Sequence, residues 1–141
     1  KAFHSLDGQG IKMLQKSGLT VAIITGRTSA IVQKRAAALG IHHVIQGRED
    51  KLTALDELLH ELRKTLSIDY HHIAHMGDDY PDLPLIRRVG LGMTPSNGHW
   101  VVKQHAHWQS TLAGGCGAVR QACDLIMLAQ GRFESALSPY L

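Results

Sequence analysis

The sequence predicts an α/β fold, a three-layer Rossmann-like sandwich built on a mainly parallel sheet. Short apolar runs alternate along the chain with helix-patterned stretches, the arrangement that right-handed βαβ crossovers produce. The apolar runs are continuous rather than alternating, as in LTVAII at residues 19–24, which suits strands buried on both faces. Hydrophobic residues make up 44% of the 141-residue chain and aromatic ones only 5%, so the core must be aliphatic. That length fits one domain with a sizeable interior.

Taken in order, Gly8 and Gly10 mark a turn into a short helix at residues 11–16, stopped by Ser17-Gly18. The strand at 19–24 ends at Thr25-Gly26-Arg27. Thr28 or Ser29 can cap a helix that runs to Leu39, with Gly40 as its stop signal. Residues 42–45 form a second strand. Asp50 or a neighbour opens a longer helix whose Leu52, Leu55, Leu58, Leu59 and Leu62 lie on one stripe. Residues 72–76 form a third strand, followed at once by Gly77-Asp78-Asp79. A helix at 81–89, a strand at 91–93, a helix at 98–106 and an extended stretch at 108–112 come next. Gly114, Gly115 and Gly117 then lead into a last helix at 118–129.

Composition narrows the function. The formal charge is +3, without the block of Lys and Arg and the interleaved aromatics that a nucleic-acid groove shows. No apolar run reaches the length of a membrane span and no signal-peptide pattern opens the chain. The expectation is a cytoplasmic protein with no nucleic-acid or membrane partner. Cys116 and Cys123 fit neither a disulfide framework nor a zinc spacing. Among 10 histidines, His71 and His75, and likewise His105 and His107, would share a face if they lie on strands. Such isolated pairs lack a third ligand, so packed or solvated histidines are the expectation. No Gly-x-Gly-x-x-Gly follows the first strand, which argues against dinucleotide binding.

Parallel sheets bind ligands beyond the carboxyl ends of their strands, where Thr25-Gly26-Arg27 and Gly77-Asp78-Asp79 sit. Asp78, Asp79 and Asp82 place three carboxylates in one strand-to-helix turn. Either a cation compensates them, for which Mg²⁺ is suited, or Asp79 and Asp82 cap the helix that begins at Pro81. Thr25 offers a hydroxyl beside backbone N–H groups, an anion seat in kind though a common turn. Lys51 opens a helix, where a cation opposes the macrodipole. That placement signals either a functional need or an ordinary solvated lysine.

In this order, Thr25, Lys51 and Gly77-Asp78-Asp79 with Asp82 resemble the later motifs of haloacid dehalogenase phosphatases. The likeness extends to Lys1-Ala2-Phe3-His4, Asp7-Gly8-Gln9-Gly10, Ala22 through Arg27, Arg35 within VQKRAAALGI, Asp82-Leu83-Pro84 and AGGCGAVRQACDLIMLAQG. Across essentially the whole chain the sequence resembles the phosphatases that act on 3-deoxy-D-manno-octulosonate 8-phosphate. The resemblance implies a core with no large cap domain and a two-step phosphoryl transfer through a phosphoaspartate. Thr25 would then hydrogen-bond a phosphoryl oxygen, and Lys51 would neutralise charge on the transferring group. Asp78 would ligate Mg²⁺, supported by Asp79 and Asp82. Gly26, Arg27 and Arg35 would lie on the substrate side, with Arg35 reaching a neighbouring subunit's site. It further implies a homo-oligomer, a tetramer, whose C-terminal tail at 133–141 approaches a neighbour, and a small phosphorylated sugar acid as substrate in lipopolysaccharide biosynthesis.

Some positions depart from the pattern. The attacking aspartate of these enzymes belongs to an Asp-x-Asp on a strand that would precede Lys1, and no Asp-x-Asp occurs in this chain. The expectation is therefore that residues 1–141 are one N-terminally incomplete phosphatase core, in which a missing central strand leaves two unpaired edges. Cys116 and Gln121 stand where the family commonly has Arg and Glu. A phosphatase for a nine-carbon sialic-acid-type 9-phosphate is the neighbouring alternative. A non-catalytic, oligomerising sugar-acid-binding module is the other, motivated by the absent nucleophile.

Overall fold

The protein is described by a computed structural model covering residues 4–141. Lys1, Ala2 and Phe3, which carry part of the resemblance, lie outside the described residues. Every strand pairing is parallel, as the sequence predicts. Strand β1 (Ala22–Ile24) pairs with β2 (His43–Ile45), Ile23 standing opposite Val44. Strands β3 (Ala74–Met76), β4 (Leu91–Thr94) and β5 (Trp108–Gln109) form a second group in the order β3-β4-β5. The sheet is thus in two pieces, and the first strand is shorter than its apolar run because a ladder is counted only where a partner exists.

Between the pieces runs a cavity of about 760 Å³, walled by Ile23 and Ile24 of β1, Ala74, His75 and Met76 of β3, and leucines of the helices. β1 is paired only toward β2 and β3 only toward β4 among the described residues. Each therefore turns an open edge toward this cavity.

The helices are α1 (Ser5–Lys16), α2 (Ala30–Ala38), α3 (Lys51–Leu62), α4 (Leu83–Ile86), α5 (Trp100–His105), α6 (Ala118–Ala129) and α7 (Phe133–Leu137). None among the described residues is long and apolar enough to cross a membrane. Three aliphatic clusters hold them. Met13 and Leu14 of α1 pack on Cys123 and Met127 of α6. Leu55 and Leu59 of α3 pack on Leu85 and Val89. Ala36 and Leu39 of α2 pack with Ile41. Ser29 caps α2 by accepting the Val32 N–H, and Gly40 stops it at φ +75°, a conformation that favours glycine.

Helix α1 corrects the reading of its glycines. It begins at Ser5, and Gly8 and Gly10 lie inside it rather than in a turn before it. They serve close approach. A Cβ on Gly8 would collide with the Arg35 guanidinium, and one on Gly10 would sit 2.9 Å from Arg120 Cδ and 3.2 Å from Arg120 Cα. Asp7, also buried, accepts the Arg120 N–H at 2.9 Å in the first turn of α6, where a carboxylate complements the helix dipole.

The paired-histidine faces do not form. His71 lies in a single 3₁₀ turn (Tyr70–His72) held by the Asp69 side chain, so it shares no strand with His75. His105 ends α5, whereas His107 precedes β5 and uses Nδ1 to accept the Gly92 N–H at 2.8 Å. The helix expected at 81–89 is a 3₁₀ turn (Tyr80–Asp82) followed by the four residues of α4. Pro81 and Pro84 each withhold a backbone donor there. Within this chain the C-terminal stretch also packs against α1 and the turn after it. Arg132 Nη1 donates to Ser17 O at 2.7 Å and Gln9 Nε2 to the Tyr140 hydroxyl at 2.8 Å. Leu141, 94% exposed, is the residue that stands clear.

Gly10→Val should therefore overpack the α1–α6 contact and lower stability by about 1–3 kcal/mol, read as a lower urea midpoint, whereas glycine-to-valine gains in unfolded-state entropy alone would raise it.

Candidate active site

The strand-end residues are organised by one buried carboxylate. Asp82, 3% exposed, closes the 3₁₀ turn after β3. Its Oδ1 accepts from Lys51 Nζ at 2.7 Å and from His75 Nε2 at 3.0 Å. Its Oδ2 accepts the backbone N–H groups of Asp78 at 3.0 Å and Asp79 at 3.3 Å. Burial by itself pushes the Asp82 carboxyl up, but the hydrogen bonds from His75 and Lys51 outweigh it and hold the group well below the usual carboxylate range. It is an ionised acceptor with both oxygens occupied.

This arrangement separates the three aspartates. Asp79 accepts the Tyr80 N–H at 2.8 Å, and with Asp82 forms a capping box. Capping therefore holds for both, and Asp82 is in addition the partner of Lys51. Asp78 differs. Its backbone carbonyl accepts the His99 N–H at 2.9 Å, while its carboxylate is exposed and has no hydrogen-bond partner among the described residues. No group of three His, Cys, Asp or Glu able to hold a metal occurs among the described residues. One open carboxylate still fits Mg²⁺, which keeps several waters and takes one or two carboxylates plus substrate oxygens.

Lys51 is the first residue of α3. Its side chain is only 14% exposed, so the unfavourable position is offset by a buried ion pair rather than by solvent. The turn before it is tied to Thr25. Arg48 N donates to Thr25 O at 3.2 Å and Thr25 N to Ile45 O at 2.9 Å. The Thr25 hydroxyl accepts the Arg27 N–H at 3.2 Å. Arg48 forks onto Asp50 and Glu57 at 2.8 and 2.9 Å, which fixes the entry to α3 and explains why Asp50 makes no side-chain cap.

Thus Lys51 and the Asp78 loop meet directly at Asp82, while the backbone of Thr25 is tied to the 45–48 turn that precedes α3. Gly26 faces Glu49, whose Cγ would lie 3.1 Å from an added Cβ. Arg27 is exposed, and Arg35 sits over Gly8 of its own chain. Gln121 is fully engaged, its Oε1 accepting from the Ser110 hydroxyl at 2.5 Å and the Thr111 N–H at 3.1 Å. Cys116 is exposed, and burial pushes the Cys123 thiol up to about 12. Sequence reasoning missed His75, Arg48 and the Tyr80–His99 ring contact at 4.8 Å, which braces the Asp78 loop. His75 had one legible signal, a polar residue interrupting an apolar strand three positions before Asp78.

The haloacid dehalogenase-like hydrolase family matches residues 2–90. A 3-deoxy-D-manno-octulosonate 8-phosphate phosphatase of Yersinia pestis is 44% identical over 136 residues, covering 96% of this chain and 71% of that protein. A crystal structure described as a "probable yrbi family phosphatase" from Pseudomonas syringae pv. phaseolica superposes with TM-score 0.95 at 56% identity, covering 99% of this chain and 77% of that one. The 3-deoxy-D-manno-octulosonate 8-phosphate phosphatase of Moraxella catarrhalis, solved with magnesium ion, phosphate ion and KDO, gives TM-score 0.95 at 44% identity over 100% of this chain and 79% of that one. The chain belongs to the haloacid dehalogenase-like hydrolases and, within them, to the phosphoric monoester hydrolases.

Because the folded Asp82 value lies below the roughly 3.9 of a free aspartate, its stabilisation is full above that pH and is lost as pH falls toward the folded value. Asp82→Asn should cost about 3 kcal/mol at pH 7 by stranding Lys51, and the deficit should shrink by pH 3 in paired urea titrations.

Proposed function

We propose that this chain is the core of a Mg²⁺-dependent phosphatase that hydrolyses 3-deoxy-D-manno-octulosonate 8-phosphate to the free sugar acid and phosphate. The observation that carries the reading is the Asp82 junction, which holds a lysine ammonium beside a turn whose Asp78 carboxylate is left open. Phosphoryl transfer needs positioned positive charge more than covalent chemistry. Lys51 supplies a fixed ammonium with donors to spare, and Thr25 supplies a hydroxyl and a turn for a phosphoryl oxygen. Asp78 would hold the metal, which when bound neutralises charge on those oxygens. Arg27, exposed at the same strand end, suits the sugar acid's carboxylate as a fork. The bacterial cytoplasm, lipopolysaccharide synthesis and a homotetramer belong to the same reading, supported by the relatives and the family resemblance.

The cleft between β1 and β3 bears on the missing nucleophile. Its walls are aliphatic side chains above and below and two open strand edges at the sides. Open edges carry backbone donors and acceptors that a small apolar ligand leaves unsatisfied and an extended peptide satisfies. His4 Nδ1, buried at the same cleft, also has no partner among the described residues. The occupant in this reading is an upstream strand lying parallel between β1 and β3 and delivering the Asp-x-Asp to the Lys51–Asp78 end. An unfilled cleft favours the second reading, a sugar-acid-binding module without turnover.

A form of the protein extended upstream by that strand should release phosphate from the eight-carbon substrate in Mg²⁺ and stop on chelation. Asp78→Asn should lower kcat by at least a hundredfold. Equal or preferred turnover of a nine-carbon 9-phosphate would move the assignment to the sialic-acid type, and binding of the sugar acid without phosphate release would leave the module.

A further inference from the structure

His75 is the one member of the Asp82 junction to which the phosphatase reading gives no role. We infer that His75 is a positioning residue for phosphoryl transfer, sharing Asp82 Oδ1 with Lys51 so that the lysine ammonium stays available to the phosphoryl group. The inference rests on the phosphatase reading and deepens it.

The geometry supports a specific division of labour. His75 lies on β3, its backbone fixed opposite Gly92 of β4, and its side chain is 15% exposed. Both of its neighbours at Asp82 come from other elements: Lys51 from the start of α3, and the Asp78–Asp79 amides from the turn after β3. Since Asp82 is an ionised acceptor, the contact at 3.0 Å requires a proton on His75 Nε2. The carboxylate then has two donors on each oxygen and no freedom to rotate. One oxygen is committed to the loop that presents Asp78, and the other is divided between lysine and histidine.

That division matters because a lysine locked in an exclusive ion pair is a poor electrostatic catalyst. Its charge is cancelled locally and its position is drawn toward the carboxylate. A second donor on Oδ1 satisfies part of the carboxylate's demand from a rigid strand. Lys51 is held by one contact at 2.7 Å, and the other two N–H groups of its ammonium remain available. Take the histidine donor away and Oδ1 depends on Lys51 alone. The ammonium is then pulled toward Asp82, and the carboxylate can swing and release the Asp78 and Asp79 amides.

The test compares His75→Leu, which removes the donor, with His75→Gln, whose amide nitrogen can reach where Nε2 stands. Both are made in the upstream-extended protein. Turnover of p-nitrophenyl phosphate, a generic phosphomonoester, separates this inference from the sugar-acid assignment, since its hydrolysis is independent of which sugar is the natural substrate. His75→Leu should lower kcat by about tenfold, the effect of one charge-assisted hydrogen bond, with KM for the eight-carbon substrate changed less than twofold. His75→Gln should restore most of that loss, at urea midpoints matching those of His75→Leu. Full activity in His75→Leu, an equal loss in both variants, or a loss confined to KM would overturn the inference.

Discussion

The structure depends most on the burial of one ionised carboxylate. Removing Asp82 from water is unfavourable by itself, and it is tolerated because both oxygens are met by donors: Lys51 from the start of α3, His75 from β3, and the amides of Asp78 and Asp79 from the turn after it. The compensation is also what makes the site. The ammonium that neutralises Asp82 is fixed in space, and the amides that satisfy its other oxygen set the path of the turn carrying Asp78. A single desolvated charge therefore converts three separate stretches of sequence into one constellation.

The sheet is divided along its middle. Among the described residues β1 and β3 each turn an unpaired edge toward the cleft, while helices pack aliphatic side chains against the strand faces. The turns after β1 and β3, which carry Thr25 and Asp78, leave from strands that border this opening, so both lie at the end of the cleft rather than on an outer face. In a doubly wound sheet that is where the strand ends are most enclosed and electrostatic interactions are strongest.

Much of this was legible in the sequence. The helix at Ala118–Ala129 and the helix after Ser29 follow from apolar spacing and capping residues, and the strand ends follow from where apolar runs meet Thr25 and Gly77. Three things were not. Glycine in a sequence reads as a turn, but Gly8 and Gly10 are helical because their lack of a side chain is needed by a neighbour remote in sequence. The histidine pairs assumed strands where Asp69 instead closes a 3₁₀ turn. The meeting of Lys51, His75 and Asp82 depends on side-chain directions across three elements, which spacing does not encode.

The α1–α6 clamp has a kinetic meaning. The Asp7 to Arg120 contact joins residues 113 positions apart, whereas β1 with β2 and β3 with β4 are linked by neighbouring crossovers. Closing so long a loop carries a larger entropic cost than either local unit. The crossovers can thus consolidate first, with α1 and α6 zipping together last. The clamp is then a latch on the finished globule, and it is the part of the molecule whose opening exposes the Met13–Met127 seam while the strand pairs persist.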